Sequence, residues 1–283
     1  MSTQVPRLLA GLVDDAAVFP PGSATLPDAL AAHRRHRDSW YADLVGPLLV
    51  PASALPALAG LLGADERIAV GVIADVPLDR LAGVRAGIDP RIDVRQVEAA
   101  VAKRGEDPQP GLAELVALAR ATGLRAYAEV PLAFGLMGAL DTLAAARADG
   151  VPIAAKFRTG GLAAELFPTP VELAAVIVAC RDRELPFKLT AGLHHAVRHL
   201  DPETGLVHHG FGNVLAATLA AAEGAEVDEM AALLAATDPA RLAERARAAR
   251  AATRPLWVGF GSCSIVEPLT DLIRLGLVNG GEE

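Results

Sequence analysis

The chain has 283 residues, 52% of them hydrophobic and only 4% aromatic, with a formal net charge of −8. That length suits one large domain or two small ones, and single α/β barrels commonly reach about 250 residues. The acidic balance, with no basic stripe or aromatic platform, argues against a nucleic-acid partner. With so few aromatics, the core must be built from Ala, Leu and Val.

In chain order, the opening Met1-Ser-Thr-Gln-Val-Pro-Arg7 holds no apolar signal core. No uncharged apolar run approaches the roughly 18 residues that cross a bilayer, so no membrane role is expected. Apolar β-like runs then fall near residues 12–19, 47–50, 68–73, 91–97, 125–130, 153–157, 187–190 and 256–260. Ala-rich helical patterns fill most of the gaps, at 25–36, 112–122, 138–148, 170–183 and 214–223, and Gly or Pro often marks the junctions. Eight such runs in β-then-α order predict a single (β/α)8 barrel over residues 1–283. A doubly wound sheet is the competitor, weakened by the absence of a Gly-rich dinucleotide fingerprint. Residues 226–252 carry two further helical patterns around Thr237-Asp-Pro239, read as a helical insertion before the last strand. Cys180 and Cys263 are too few for a disulfide framework, which fits a reducing cytoplasm. An apolar, lysine-poor surface suits a homodimer.

Only three of the 26 basic residues are lysines, and two of them, Lys156 and Lys188, lie in β-like runs. Lysine can lose its proton and attack a carbonyl, which arginine cannot. The spacing of 32 residues fits one βα unit, so the two ammonium groups are expected to be neighbours near the C-terminal rim. Each then disfavours the other's charge, Lys188 lowering the pKa of Lys156. The alternative is that both snorkel to solvent or form structural salt bridges.

Asp93, if inward, could relay a proton through a water; Glu98 is a rival for that role, and a salt bridge from Asp93 to Arg91 or Arg95 is the plain alternative. Glu129 closes an apolar strand and needs a cationic partner, Lys156 or Lys188. Arg158 could clamp an anionic substrate group or pair with Glu129 or Asp93. Five of the seven histidines, His194, His195, His199, His208 and His209, lie within 16 residues. They could contact substrate or work as acids and bases. Alternatively His194, His195, His208 and His209, with Glu129 or Asp93, could hold a divalent metal such as zinc. His33 and His36 read as solvated. Gly261, Ser262 and Ser264 form a strand-to-helix turn that offers amides to an anion or simply caps a helix. Cys263 reads as a small packed hydrophobe.

Several of these segments, in this order, resemble the deoxyribose-phosphate aldolase family of Schiff-base aldolases. Lys156-Phe-Arg-Thr-Gly160 is similar to the family's Lys-Thr-Ser-Thr-Gly, and Phe187-Lys-Leu-Thr-Ala-Gly192 to its Phe-Lys-Pro-Ala-Gly-Gly. Phe260-Gly-Ser-Cys-Ser264 resembles its terminal phosphate-holding Gly-x-Ser-Ser turn, and Asp14-Asp-Ala its Asp-His-Thr opening. The resemblance implies a (β/α)8 barrel and reversible carbon–carbon cleavage on a small-molecule carbonyl substrate, without a cofactor. It implies an imine on Lys156, Lys188 as second lysine, Asp93 on the proton-relay strand and Glu129 beside the lysines. Gly261, Ser262 and Ser264 would hold an anionic group, with Thr159, Gly160 and Gly192 in the same substrate site; Arg158, His194 and His195, which have no family counterpart, are this chain's own candidates for substrate contact. Arg158 stands where the family has a small hydroxyl residue, and Leu193 replaces a glycine, both of which count against deoxyribose phosphate as substrate. A metal-dependent hydrolase or lyase, or a non-catalytic anion-binding barrel, are the alternatives.

Overall fold

The computed structural model describes residues 5–81 and 87–280. The first four residues, read above for a signal core, lie outside that range. Eight parallel strands close into a barrel in the order β1-β10-β7-β6-β5-β4-β3-β2. They are β1 (Val13–Asp15), β2 (Val45–Pro51), β3 (Ile68–Ile73), β4 (Ile92–Ala100), β5 (Arg125–Glu129), β6 (Ile153–Arg158), β7 (Phe187–Thr190) and β10 (Trp257–Ser262). All eight expected strands are therefore present, and the (β/α)8 fold is as the sequence predicts.

Helices on the outside cover the apolar outward faces of the strands. They include α1 (Leu26–Arg37), α2 (Leu55–Ala59), α3 (Gln109–Thr122), α4 (Leu136–Ala148), α5 (Pro170–Arg181), α6 (Phe211–Ala222) and α9 (Val266–Arg274). The helical pair before the last strand is α7 (Val227–Ala235) and α8 (Pro239–Ala248). Local chemistry starts these helices. Thr169 accepts a hydrogen bond from the Glu172 amide while Glu172 bonds back, a capping box with Pro170 at the first helical position. Asp238 caps α8 with a single side-chain bond, accepted from the Ala240 amide. The long link from β7 to α6 carries a short antiparallel hairpin, β8 (His199–Leu200) and β9 (Val207–His208).

The core is mainly Ala, Leu and Val, as the composition requires. Its few aromatics cluster: Trp257, Phe260 and Phe211 stack in sequence, and Phe157 lies against Phe187. β2 and β10 each run a residue or two past their expected ends, and two strands depart further. β1 is shorter, because the chain turns away after Asp15. β4 runs three residues further, to Ala100, with a register irregularity where Val94 and Gln96 succeed each other against β3. That extension decides which acid enters the site.

Candidate active site

Lys156 and Lys188 sit directly opposite each other in register on adjacent strands β6 and β7. Both are buried, and Glu129 on β5 faces Lys156 in the same layer. Alternate side chains of a barrel strand enter its interior, and layers form where neighbouring strands share register. The lysines therefore meet inside the barrel near its C-terminal end.

They do not meet alone. Lys156 Nζ lies 2.8 Å from Glu98 Oε2 and 2.9 Å from Glu129 Oε2. Lys188 Nζ bonds Glu98 Oε1 and Asp14 Oδ2. Glu98 thus bridges the two ammonium groups, one oxygen to each. Gln96 Nε2 donates to Asp14 at 2.6 Å and to Glu98 at 2.9 Å. The Tyr127 ring lies beneath Lys188, its centroid 5.1 Å from Nζ. Arg158 Nε donates to Glu129 Oε1 at 3.2 Å, the same distance that separates its Nη2 from that oxygen. The assembly of three carboxylates and three cations comes from β1, β4, β5, β6 and β7.

This arrangement overturns the expected pKa logic. Burial favours the neutral amine of Lys156, but Glu98 and then Glu129 outweigh burial, and the repulsion from Lys188 is a lesser influence. The Lys156 pKa is raised. Lys188 behaves likewise: burial opposes its charge, and Asp14 and Glu98 overcome it. For Glu98 burial pushes upward, yet the two lysines pull its pKa down to about 2. Glu129 is lowered too, Lys156 and Arg158 outweighing burial. Asp14 goes the other way, raised by burial with help from the Glu98 charge and against the pull of Lys188. The resting state is a pair of ammonium ions held by carboxylates that can accept their protons.

Of the acids named from sequence, Glu129 is in place and Asp93 is not. Asp93 is the second residue of β4, half exposed, and pairs with Arg95 at 2.6 Å. Five residues along a strand span on the order of 15 Å, so Asp93 belongs to the opposite end of the barrel from Glu98. Glu98 occupies the position intended for it. Asp14, Gln96 and Tyr127 carried no assigned role in the sequence reading. Their signal was a polar group inside an apolar run, and Gln96 and Tyr127 each precede a site acid by two residues.

The surrounding turns are tightly joined. Thr159 Oγ donates to the Ala191 carbonyl at 2.7 Å, and a Cβ on Gly160 would touch Gly192 Cα at 3.1 Å. Gly192 has φ +80°, which its lack of a side chain permits. Ser262 Oγ donates to the Ser264 carbonyl at 2.7 Å, and Ser264 Oγ accepts from the Glu267 amide at 3.2 Å. The Ser262 hydroxyl is held within the turn, and that of Ser264 takes the Glu267 amide in the first turn of α9. Gly261 stands beside Asp14 in register.

The histidines take separate partners. His194 Nδ1 lies 3.0 Å from Glu267, His195 3.3 Å from Asp271, and His208 Nδ1 3.3 Å from the Gly192 carbonyl. His209 is buried against the Pro168 carbonyl at 2.7 Å, and burial pushes its pKa down to about 4. Among the described residues no three His, Cys, Asp or Glu side chains gather as a cation site. His195, His199, His208 and Phe167 instead form a file of ring contacts 4.8–5.4 Å apart. Cys263 is partly buried, with Sγ 3.9 and 4.0 Å from the two ring nitrogens of His194. His33, expected in solvent, is buried on Asp15 at 3.0 Å, while His36 bonds the Tyr41 hydroxyl at 3.0 Å.

A cavity of about 520 Å³ lies at the C-terminal ends of β4, β5 and β6, next to the Glu129–Arg158 side of the cluster; Lys156 and Glu98 are not in its wall. Glu129 and Arg158 belong to its wall together with Leu132, Met137, Phe167 and Val176. Chemically, the site offers one amine next to two proton acceptors, a second fixed cation, and an arginine at the open end. No helix of the described residues is long and apolar enough to cross a membrane. No family model, curated protein or solved structure matches the chain.

Proposed function

We propose that the protein is a lyase of the Schiff-base aldolase type. It makes or breaks a carbon–carbon bond in a small carbonyl compound that carries an anionic group. One observation carries the reading: two buried lysines lie in register on adjacent barrel strands, with Glu98 and Glu129 both in hydrogen-bond reach of Lys156. The fold by itself supports no particular chemistry. The rarity of lysine in a chain that otherwise uses arginine adds weight, because only lysine serves as an amine nucleophile.

In this reading Lys156 passes a proton to a carboxylate and its amine adds to the carbonyl carbon. The carbonyl oxygen collects protons and leaves as water, giving an iminium. A carboxylate takes the proton of the β-hydroxyl, the bond between the α and β carbons breaks, the β fragment leaves as an aldehyde, and the electron pair passes to the iminium to give an enamine. Glu98 or Glu129 then returns a proton to the enamine carbon, and water hydrolyses the iminium, releasing the second carbonyl product and restoring the Lys156 amine. Lys188 stays charged between Asp14 and Glu98 and fixes the Glu98 carboxylate.

The test is borohydride trapping with small aldehydes, ketones and keto acids, followed by peptide mass spectrometry. The expected adduct is on the peptide that holds Lys156. Lys156→Ala and Lys156→Arg should both lose trapping and turnover, the second although it keeps the charge. Turnover retained by either variant would remove Lys156 from the chemistry.

A further inference from the structure

Arg158 and Lys156 occupy alternate positions of β6, so both face the barrel interior, about 7 Å apart along the strand. They differ in access. The Arg158 side chain is 43% exposed and that of Lys156 is 6% exposed. An entering anion therefore meets Arg158 first. Arg158 holds Glu129 through a single oxygen, Oε1, while the other oxygen holds Lys156. Its remaining guanidinium donors suit the parallel two-bond recognition of a carboxylate.

We propose that the substrate is a 2-oxo acid with an apolar body, and that its carboxylate switches on Lys156 by drawing Arg158 away from Glu129. This rests on the imine reading above and adds the substrate class and the trigger to it. Arg158 bonds Glu129 and does not bond Lys156, so its charge favours the ionised form of the Glu129–Lys156 pair. Once a carboxylate neutralises Arg158, Glu129 binds a proton more readily, and its donor is Lys156 at 2.9 Å. The proton moves from Nζ to Oε2, and the freed amine adds to the adjacent keto carbon. The ammonium and the ketone thus give an iminium and one water. The carboxylate and keto groups of a 2-oxo acid are joined by one bond, which matches an arginine and a lysine on successive inward positions.

The apolar body follows from the cavity. Its volume, about 520 Å³, lies in the range of sites that enclose a drug-sized ligand. Leu132, Met137, Phe167 and Val176 give it apolar walls, between the charged groups Arg104, Glu165 and Glu172 on one side and Glu129 and Arg158 on the other. A three-carbon substrate would leave that space unused.

The test compares trapping at Lys156 by phenylpyruvate, pyruvate and phenylacetaldehyde, on the wild type and on Arg158→Ala. On the wild type, phenylpyruvate should trap at concentrations about tenfold or more below those needed for the other two, the scale of one charge-assisted contact or one buried ring. On Arg158→Ala it should lose that advantage over phenylacetaldehyde, while phenylacetaldehyde itself traps faster than on the wild type; an unchanged or slower rate would overturn the trigger. Acetate, which fills the guanidinium fork and leaves the apolar space open, should accelerate trapping of phenylacetaldehyde on the wild type but not on the variant. Sodium chloride at the same ionic strength should do neither. If acetate has no effect and the aldehyde traps as well as the oxo acid, the trigger is wrong and the imine reading stands. If pyruvate equals phenylpyruvate, the apolar body is wrong. If no carbonyl compound leaves an adduct on Lys156, the imine reading falls and this inference falls with it.

Discussion

Cys263 and Cys180 are the same side chain in opposite settings, and they calibrate how the barrel treats its reactive groups. Cys180 is fully buried on α5, and burial pushes its pKa up to about 12. Cys263 is only partly buried at the mouth, beside a His194 ring that Glu267 also holds. The contact with Cys263, with Glu267 assisting against burial, raises the His194 pKa. Iodoacetamide at neutral pH should therefore label Cys263 in the native protein and Cys180 only after unfolding. His194→Ala should slow labelling of Cys263 several-fold. Equal labelling of both cysteines in native protein, read by peptide mass spectrometry, would contradict the burial of Cys180. Sequence alone missed the Cys263–His194 contact because the partners lie 69 positions apart. At the same scale, the lysines were legible: a charge inside an apolar strand must be paired or functional. Which acids pair with them was not. Asp93 and Glu98 both lie in an apolar-alternating run, and only the true end of β4 decides between them.

Strands were located by their apolar runs and by the glycines and prolines that bound them, and so all eight appear where expected. Their ends were less legible, since the three extra residues of β4, Glu98-Ala99-Ala100, are residues that favour helices as much as strands. The hairpin β8–β9 escaped notice because its two-residue strands pair His199 with His208 and show no alternation. Glycines inside strands carry a further message. Gly46 on β2 stands against Asp14, and a Cβ built there runs into the Asp14 carboxylate. Only a missing side chain lets β2 approach β1 while Asp14 points at Lys188. Gly46→Ala should cost about 1–3 kcal/mol, the usual range for overpacking, and should dislodge Asp14 from Lys188. Gly63→Ala is the control: its Cβ would meet Glu66 at an ordinary 3.8 Å, and its effect should stay within about 0.5 kcal/mol. Urea midpoints for the two variants check this. A Gly46→Ala protein as stable as Gly63→Ala would show that β2 can yield at that point.

The ion cluster ties five of the eight strands together, so its titration is a property of the whole barrel. Glu98 has a folded pKa of about 2 against an ordinary 4.5. Its depressed value stabilises the fold fully above about pH 4.5, and that contribution is lost as pH falls toward 2. Lys156 and Lys188 are raised above their ordinary 10.5. They stabilise the fold fully below that pH, and the contribution is lost as pH rises through their folded values. Asp14 opposes the others. Its pKa is raised, so its ionised form works against folding near neutral pH. The Glu98, Lys156 and Lys188 contributions are constant between about pH 5 and 10, so the stability they supply should fall as pH drops below about 4.5 and as it rises above about 10.5, read as the urea midpoint. Glu98→Gln removes the carboxylate that both lysines share and should cost about 3–5 kcal/mol at pH 7, the penalty of a buried charge deprived of its partner. Its acid limb should also become shallower, since the group with the lowest folded pKa is gone. Asp14→Asn should cost clearly less, because the ion it removes is already disfavoured. Unfolding both variants in urea at pH 3, 7 and 9 separates these cases. If Asp14→Asn proves the more damaging, then Asp14, rather than Glu98, is the carboxylate that anchors the two lysines.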